Sequence, residues 1–513
     1  MRTRYTVLAI CAVTLASAQP GTLDLTFGNG GEAIIDAGSG YDLVYDMAIQ
    51  PDDKIVLVGL FGGIGVGAPQ DAFIIRYNAD GTPDTDFGTN GQVTWTGTGG
   101  QDRLMAVAID AQGRIVAAGE TQVTGGETQM FALRLLADGS FDTSYSGDGV
   151  ATRAGSSFND GSYTRDVLCM DDGGIMVFGY AHWNFSTPNI NVVSFWKTTA
   201  AGGIDPNVGG GSSATHTDLS NDDLPEMGNS VALRADGRFV GCTTNGNAPN
   251  QRMGYATFDN NGNNLLADFE NTYDLSTGND MARSIVLMPD DRCVLAGSVG
   301  YQSALVGVMP NANYDLSFGT DGVTDVQVGS SSTSIYSAIR QPWDKVLITG
   351  GYSDGSIVGM FLGRYHADGT PDAGFGTNGF ATHVPGTVGG DGRAIGIQSD
   401  GRIVVAGNTG GLGSADVFVV RYNNDLATNV SPSAPASDAL TASPVPATDA
   451  LTVRASTESD ELQLVDAHGR TVLSLQPRSA LVPLSVRELA DGVYLLRART
   501  GDRVESARVL VAH

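Results

Sequence analysis

The stretch "ADGTPDTDFGTNG" at Ala79–Gly91 returns as "ADGTPDAGFGTNG" at Ala367–Gly379, and a chain that writes one turn twice over such a distance is built from repeats. Aligned on that turn, an aromatic recurs at Phe27, Phe87, Tyr145, Phe269, Phe318 and Phe375, with a degenerate copy near Val208 in "GGIDPNVGGG". A period of roughly sixty residues is too long for helical solenoids and suits a four-stranded unit. A second motif keeps the same beat: "PDDKIVLVG" ends at Gly59, and its counterparts end at Gly119, Gly179, Gly297, Gly350 and Gly407, with Ala235–Thr243 as a worn copy. An Asp/Gly turn followed by an unbroken apolar run reads as a hairpin leading into a strand buried on both faces. Its partner lies upstream ("DMAIQ", "AVAID", "AIGIQ"), an alternating strand follows ("FIIRY", "FALRL", "FVVRY"), and a short strand comes after each FG turn.

Each unit therefore supplies four strands, and no segment shows sustained helical periodicity. The 69 glycines beside 41% hydrophobic residues agree with many short strands and turns. The first repeat, "GTLDLTFGNGG", lacks the strand that precedes it elsewhere, while the last, "VFVVRYNND", lacks the turn that should follow. Together they make one complete unit, so the two ends of the repeat region meet and the edges of a linear stack disappear. The fold expected for residues 21–425 is an all-β, seven-bladed β-propeller.

Within the turn, Gly81, Gly88 and Gly91 permit positive φ, Asp84 bonds amides of its own turn, and Phe87 fills the gap between blades. Arg76, Arg134, Arg364 and Arg421 hold one register of the alternating strand, with Thr257 and Val308 there in worn copies. Two readings stand: each arginine pairs with a turn aspartate of its own blade, or the set rings a channel and receives an anionic ligand. The acidic pairs Asp84/Asp86, Asp142/Asp148 and Asp315/Asp321 suit structural turns. A calcium reading remains beside that one, although no copy has the full calcium-loop pattern.

Other chemistry is sparse. His182, His216, His366, His383, His468 and His513 form no metal-ligand motif, and "GSS" at 211–213 lacks the frame of a nucleophile elbow. No cofactor and no catalytic residue are expected. Asp and Glu outnumber Lys and Arg by 56 to 29, a net charge of −27 that repels phosphate backbones, so nucleic acid is excluded as a partner. Cys169, Cys242 and Cys293 sit in apolar runs, as buried free thiols do, with a Cys242–Cys293 bridge as the alternative. The worn region from His182 to Glu226 concentrates Trp183, Trp196, Asp218 and Asp222, residue types suited to sugar faces and hydroxyls, on long loops.

At the N-terminus, Arg2 and Arg4 precede an apolar run and Ala16-Ser17-Ala18. This reads as a secretory signal peptide over residues 1–18, cleaved between Ala18 and Gln19, and Ile10 before Cys11 argues against lipidation. No other stretch is apolar for long enough to span a membrane, so no transmembrane segment is expected. Residues 426–443 form a Pro/Ser/Ala linker, and residues 444–513 alternate in short strands that predict a small β-sandwich.

The residues "RYNADGTPDTDFGTNGQV" followed by "DDKIVLVG" resemble the bacterial delta-60 repeat, found in large exported proteins and similar to propeller blades. The C-terminal stretch resembles the type A sorting domain of type IX (Por) secretion. The matching positions are Pro444, Pro446 and Ala447, the turn of Asp466, Gly469 and Arg470, the strand with Gly492, Val493, Tyr494 and Arg497, and the closing "RVLV". Val445 stands where that family usually has Asn. The resemblance implies the type IX machinery as a partner and an outer-membrane-surface or extracellular destination. It also implies removal of the domain before release or attachment to surface lipopolysaccharide. Three functions fit such a chain: a non-catalytic binding or adhesion module for a glycan or a surface protein, a carbohydrate-active hydrolase or lyase using carboxylates, and a structural surface-layer component.

Overall fold

The computed structural model describes residues 19–35, 40–62, 69–97, 100–123, 127–153, 161–183, 190–208, 215–217, 225–261, 270–300, 302–341, 344–386, 388–410, 415–424, 441–443, 450–454, 461–465, 470–476, 481–487, 489, 492–500 and 503–511. The chain divides into two compact units, Met1–Thr428 and Asn429–His513. Among the described residues every regular element is a strand, and those of the first unit form seven four-stranded antiparallel sheets.

In the first sheet the strands run in order as Tyr41–Ile49, Ile55–Gly62, Gln70–Tyr77 and Gln92–Trp95. The run "IVLV" is buried at every position because its two faces meet different neighbours. Ile55 and Leu57 pack with Val404 and Val417 of the seventh sheet, whereas Val56 and Val58 pack with Ile115 and Phe131 of the second. The core is thus a series of apolar layers between sheets, which is why these strands read as continuous rather than alternating hydrophobics.

The first strands of the sheets are Tyr41–Ile49, Asp102–Ile109, Ser162–Cys169, Glu226–Leu233, Asp280–Leu287, Ser332–Gln341 and Gly390–Ile397. Each lies against the next, and the seventh lies against the first, so they surround a central channel as the innermost strands of propeller blades. Closure follows the pattern of the chain ends. Glu32–Ile35 pairs with Val417–Tyr422 as the outer strand of the seventh blade, Gly21 N donates to Asn423 O, and Asn423 N donates to Thr22 O.

Every innermost strand carries a β-bulge at the same place, and the bulge explains the glycine that ends the second motif. A Cβ on Gly59 would stand 1.8 Å from Leu43 O; on Gly119, 2.0 Å from Arg103 O; on Gly350, 1.7 Å from Ser334 O. The worn fourth blade has Thr243 at this position, opposite Gly228 of the bulged strand. A Cβ on Gly228 would meet Gly179 O and the Phe178 ring of the third blade, each at 2.6 Å, so this glycine serves the contact between blades.

The second unit has a three-stranded sheet (Thr441–Ser443, Ala450–Arg454, Leu481–Ser485) and a four-stranded one (Thr471–Leu475, Glu461–Val465, Gly492–Thr500, Arg503–Val511). Leu451, Val453, Leu462, Leu464, Val482, Leu484, Leu496 and Val509 meet in one core, as the alternation of the sequence requires.

Gly59→Ala is expected to destabilise the propeller by about 2–3 kcal/mol, because a rigid carbonyl blocks the added methyl. Gly62→Ala meets side-chain atoms of Leu60 and Gln70, with Tyr41 O at an ordinary 3.7 Å, and should stay within about 0.5 kcal/mol of the parent in urea unfolding.

Candidate functional site

The two readings of the repeated arginines separate cleanly. Arg76 Nε donates to Asp84 Oδ2 at 2.7 Å, Arg134 to Asp142 at 2.7 Å, Arg364 to Asp372 at 2.7 Å, and Arg421 to Asp24 at 2.8 Å. Each guanidinium also lies over the turn aromatic, 4.3 Å from the ring centre of Phe87, 4.8 Å from Tyr145, 4.6 Å from Phe375 and 4.9 Å from Phe27. A second arm crosses to the next blade: Arg76 Nη1 donates to Ala137 O, Arg134 Nη1 to Ala200 O, and Arg421 Nη1 to Ala79 O. The aromatic sits against the glycine of that neighbouring turn, so a Cβ on Gly81 would stand 2.7 Å from the Phe27 ring and one on Gly139 2.9 Å from Phe87.

All four arginines are buried and none lines the channel. They are clasps between blades. Burial works against the charges of Asp24, Asp84, Asp142 and Asp372, yet hydrogen bonds and adjacent cations prevail, and the four carboxyls sit below the ordinary aspartate value. A second cation reaches each of them: Lys54 at 3.0 Å from Asp84, Arg114 at 3.2 Å from Asp142, Lys345 at 2.7 Å from Asp372 and Arg402 at 3.1 Å from Asp24. The register expected for the fifth blade needs correction. Gly307, not Val308, stands opposite the arginines, since Gly307 N donates to Gly322 O as Arg76 N does to Gly91 O. There the described cation on Asp315 is Arg292, at 2.7 Å. The third blade keeps the charge with Lys197, 2.9 Å from Asp205, and Val208 is buried in the place of the aromatic.

In the Asp142 turn these contacts already engage both carboxylate oxygens. Asp142 Oδ1 accepts from Ser144 N and Oγ while Oδ2 meets Arg134. Among the described residues no group of three or more His, Cys, Asp or Glu converges. Cys169, Cys242 and Cys293 are free thiols, and burial pushes those of Cys169 and Cys293 up to about 12.

A different set of side chains converges in the channel. The ladder register skips Tyr45, Met105, Arg165, Asn229, Arg283, Tyr336 and Arg393, one residue from each innermost strand, and a bulge re-aims the residue it inserts. Arg283 of the fifth blade and Arg393 of the seventh lie over the Tyr336 ring of the sixth, at 5.2 and 3.9 Å. Arg393 also grips Asp391 with two hydrogen bonds, of 2.7 and 2.9 Å. Toward the second and third blades, buried Glu120 bridges Arg103 at 2.7 Å and Arg165 at 3.1 Å. Arg165 Nη2 donates to Tyr180 OH, and Tyr180 stacks on Tyr163 with ring centres 4.9 Å apart.

In the first, third and fifth blades the residue after the bulge, Asp46, Asp166 or Ser284, staples neighbouring blades. Asp46 Oδ2 accepts from Val107 N at 2.8 Å, and Asp166 Oδ2 accepts from Val231 N at 2.9 Å. Burial, only partly offset by its backbone hydrogen bonds and reinforced by the charge of Asp166, pushes Asp46 up to about 7.

The loop candidates fare differently. Trp196 was expected to face a ligand, but it is 1% exposed in the apolar layer with Tyr145, Val167 and Ile175; the alternating strand turns this register inward, so Trp196 is a core residue. Trp183 ends the strand Ile175–Trp183, while Asp218 and Asp222 lie outside the described residues. Ala18 also lies outside them, whereas Gln19 Nε2 donates to Gly376 O at 3.3 Å. In the second unit Pro444, Pro446, Ala447, Asp466 and Gly469 lie outside the described residues. Arg470 is exposed, Gly492 opens a strand, Tyr494 is buried in the sandwich core, and Arg497 is exposed.

A family model described as "Domain of unknown function (DUF5122) beta-propeller" matches residues 50–87, 112–145 and 398–431. The "Secretion system C-terminal sorting domain" matches residues 442–512. No curated protein matches the chain. Among solved structures, PorZ, described as an essential bacterial surface component of the type-IX secretion system of Porphyromonas gingivalis, is similar at 12% identity with a TM-score of 0.32, over 90% of this chain and 68% of that one. YCF48 bound to D1 peptide is 14% identical with a TM-score of 0.42, over 80% and 100%. Polysaccharide lyase Uly1 is 12% identical with a TM-score of 0.39, over 78% and 92%.

Replacing Arg134 by Gln should cost about 3–5 kcal/mol, since it removes one partner of a buried pair, and urea unfolding measures it. The raised Asp46 carboxyl favours the protonated folded state. Stability should therefore fall as pH rises from about 4 to about 7, and Asp46→Asn should flatten that slope in melting curves.

Proposed function

Starting from a β-propeller that carries a type IX secretion sorting domain, and is thereby exported to the cell surface or the extracellular space, we propose that this protein works there as a non-catalytic binding module with its ligand site in the central channel. Residues 1–18 act as its inner-membrane leader, and the sorting domain engages the type IX machinery. The observation that carries the reading is the convergence of Arg103, Arg165, Arg283 and Arg393 with Tyr45, Tyr163, Tyr180 and Tyr336, because guanidinium forks and tyrosine rings together suit the holding of a polar ligand.

In most glycosidases two facing carboxylates direct oxygens at the substrate. In the channel Glu120 and Asp391 are each neutralised by arginine. Asp46 and Asp166 have raised pKa values, as a general acid would, but each spends an oxygen on the backbone of the next blade. The ligand is a glycan or an exposed group of a surface protein, bound without a metal.

The test is a panel of soluble glycans and polysaccharides, assayed for saturable binding and for released products, with and without chelator. Saturable binding, no new reducing ends or unsaturated products, and indifference to chelation are expected. Turnover of any bound polysaccharide would instead establish the enzyme, and calcium-dependent binding would place a cation in the site.

A further inference from the structure

Of the four channel arginines, three have carboxylate partners. Arg103 and Arg165 share Glu120, and Arg393 holds Asp391. Among the described residues no carboxylate, hydrogen bond or ion pair reaches Arg283, and its described partner is the Tyr336 ring. Its side chain is exposed, but to the channel, where protein surrounds it and Arg393 stands nearby. Burial and the charge of Arg393 both weaken its hold on a proton. A guanidinium with five donors, a like charge as neighbour and no counter-ion is a half-built pair.

We propose that Arg283, backed by Tyr336 and Arg393, seats one small oxyanion entering the channel, the carboxylate, sulfate or phosphate of a compact ligand, on its unoccupied fork. This rests on the reading of the channel as a binding site and gives that site its ligand class. The fork matches the two oxygens of such a group, and the seat lies where the field is locally positive. The rest of the molecule sets the size. With a net charge of −27, the outer surface repels an extended polyanion laid across it, whereas a single charged group inside the channel is screened from that surface beyond about 8 Å at physiological ionic strength. Tyr163, Tyr180 and His182 form an aromatic step beside Arg165, with ring centres 4.9 and 5.3 Å apart. Such a step suits the apolar face of a sugar ring and favours an acidic sugar as the source of the anion.

The experiment is isothermal titration of the full chain with sodium glucuronate, inorganic phosphate and neutral glucose, repeated with Arg283→Gln, Arg283→Lys and Arg340→Gln. Arg340 is an exposed arginine at the end of the same sixth-blade strand as Tyr336, so its variant makes the same charge change away from the seat. Expected are one equivalent of oxyanion bound and none of glucose, and weakening by roughly tenfold or more in Arg283→Gln. Arg283→Lys should lose part of the affinity, and Arg340→Gln should bind as the parent does. Glucuronate binding more tightly than phosphate identifies the acidic sugar, and the reverse order identifies a phosphorylated ligand. Melting curves show that each variant is folded; if Arg283→Gln is not, the lysine variant decides. The proposal is overturned if no oxyanion binds at millimolar concentration, or if folded Arg283 variants bind like the parent. Cleavage of a ligand held through Arg283 would defeat the non-catalytic reading and leave this seat standing. Binding of a neutral glycan alone, indifferent to Arg283, would do the opposite.

Discussion

The buried arginine clasp between blades is the contact on which the rest of this propeller depends. A guanidinium taken out of water is costly unless its donors and its charge are all answered. Here Arg76 is answered by Asp84, by the Ala137 carbonyl and by the Phe87 ring at once. Because one of these partners belongs to the next blade, the pair also fixes how neighbouring sheets meet. The last clasp joins Arg421 to Asp24, residues from opposite ends of the repeat region, so the bond that orders a blade also closes the ring. The worn blades retain the principle with fewer parts. Lys197 stands in for the arginine in the third, and in the fifth Arg292 approaches Asp315 from the turn just before the strand Cys293–Val299.

Much of this was readable beforehand, and the reason is physical. Strand period, buried runs and turn chemistry are local rules, repeated often enough to be recognised, and the complementary fragments at Leu23–Gly31 and Arg421–Asn424 betray the closure. The pairing of Arg76 with Asp84 follows from the same repetition. The channel was not readable in that way. Its side chains come from bulges, and one extra residue shifts the alternation that decides which face a side chain takes. The column Tyr45, Met105, Arg165, Asn229, Arg283, Tyr336, Arg393 lies within the inner strands, and its arginine and tyrosine content was the available signal. Trp196 misled for the converse reason: in a drifted blade a bulky aromatic reads as a loop feature, yet the strand register carries it into the core. At Val308 the glycine of "LVGV" displaced the alignment by one position.

The charge distribution ties fold to function. The chain is strongly acidic, but much of its aspartate is committed to turns and clasps, and the innermost surface has the opposite character. On the proposed reading, a tyrosine-lined channel carrying Arg103, Arg165, Arg283 and Arg393 inside an acidic protein favours small anionic groups over long polyanions. That selectivity comes from burial and register rather than from any sequence motif.

The central claim is that the molecule contains two populations of arginine, one consumed by architecture and one left available in the channel. Limited modification of the native protein with phenylglyoxal, followed by mass-spectrometric mapping, tests this directly. The account predicts that Arg283 reacts at a rate approaching that of exposed Arg340, while Arg76, Arg134, Arg364 and Arg421 stay unmodified until the protein unfolds. Modification of the clasp arginines as fast as Arg283, in protein that remains folded, would contradict it.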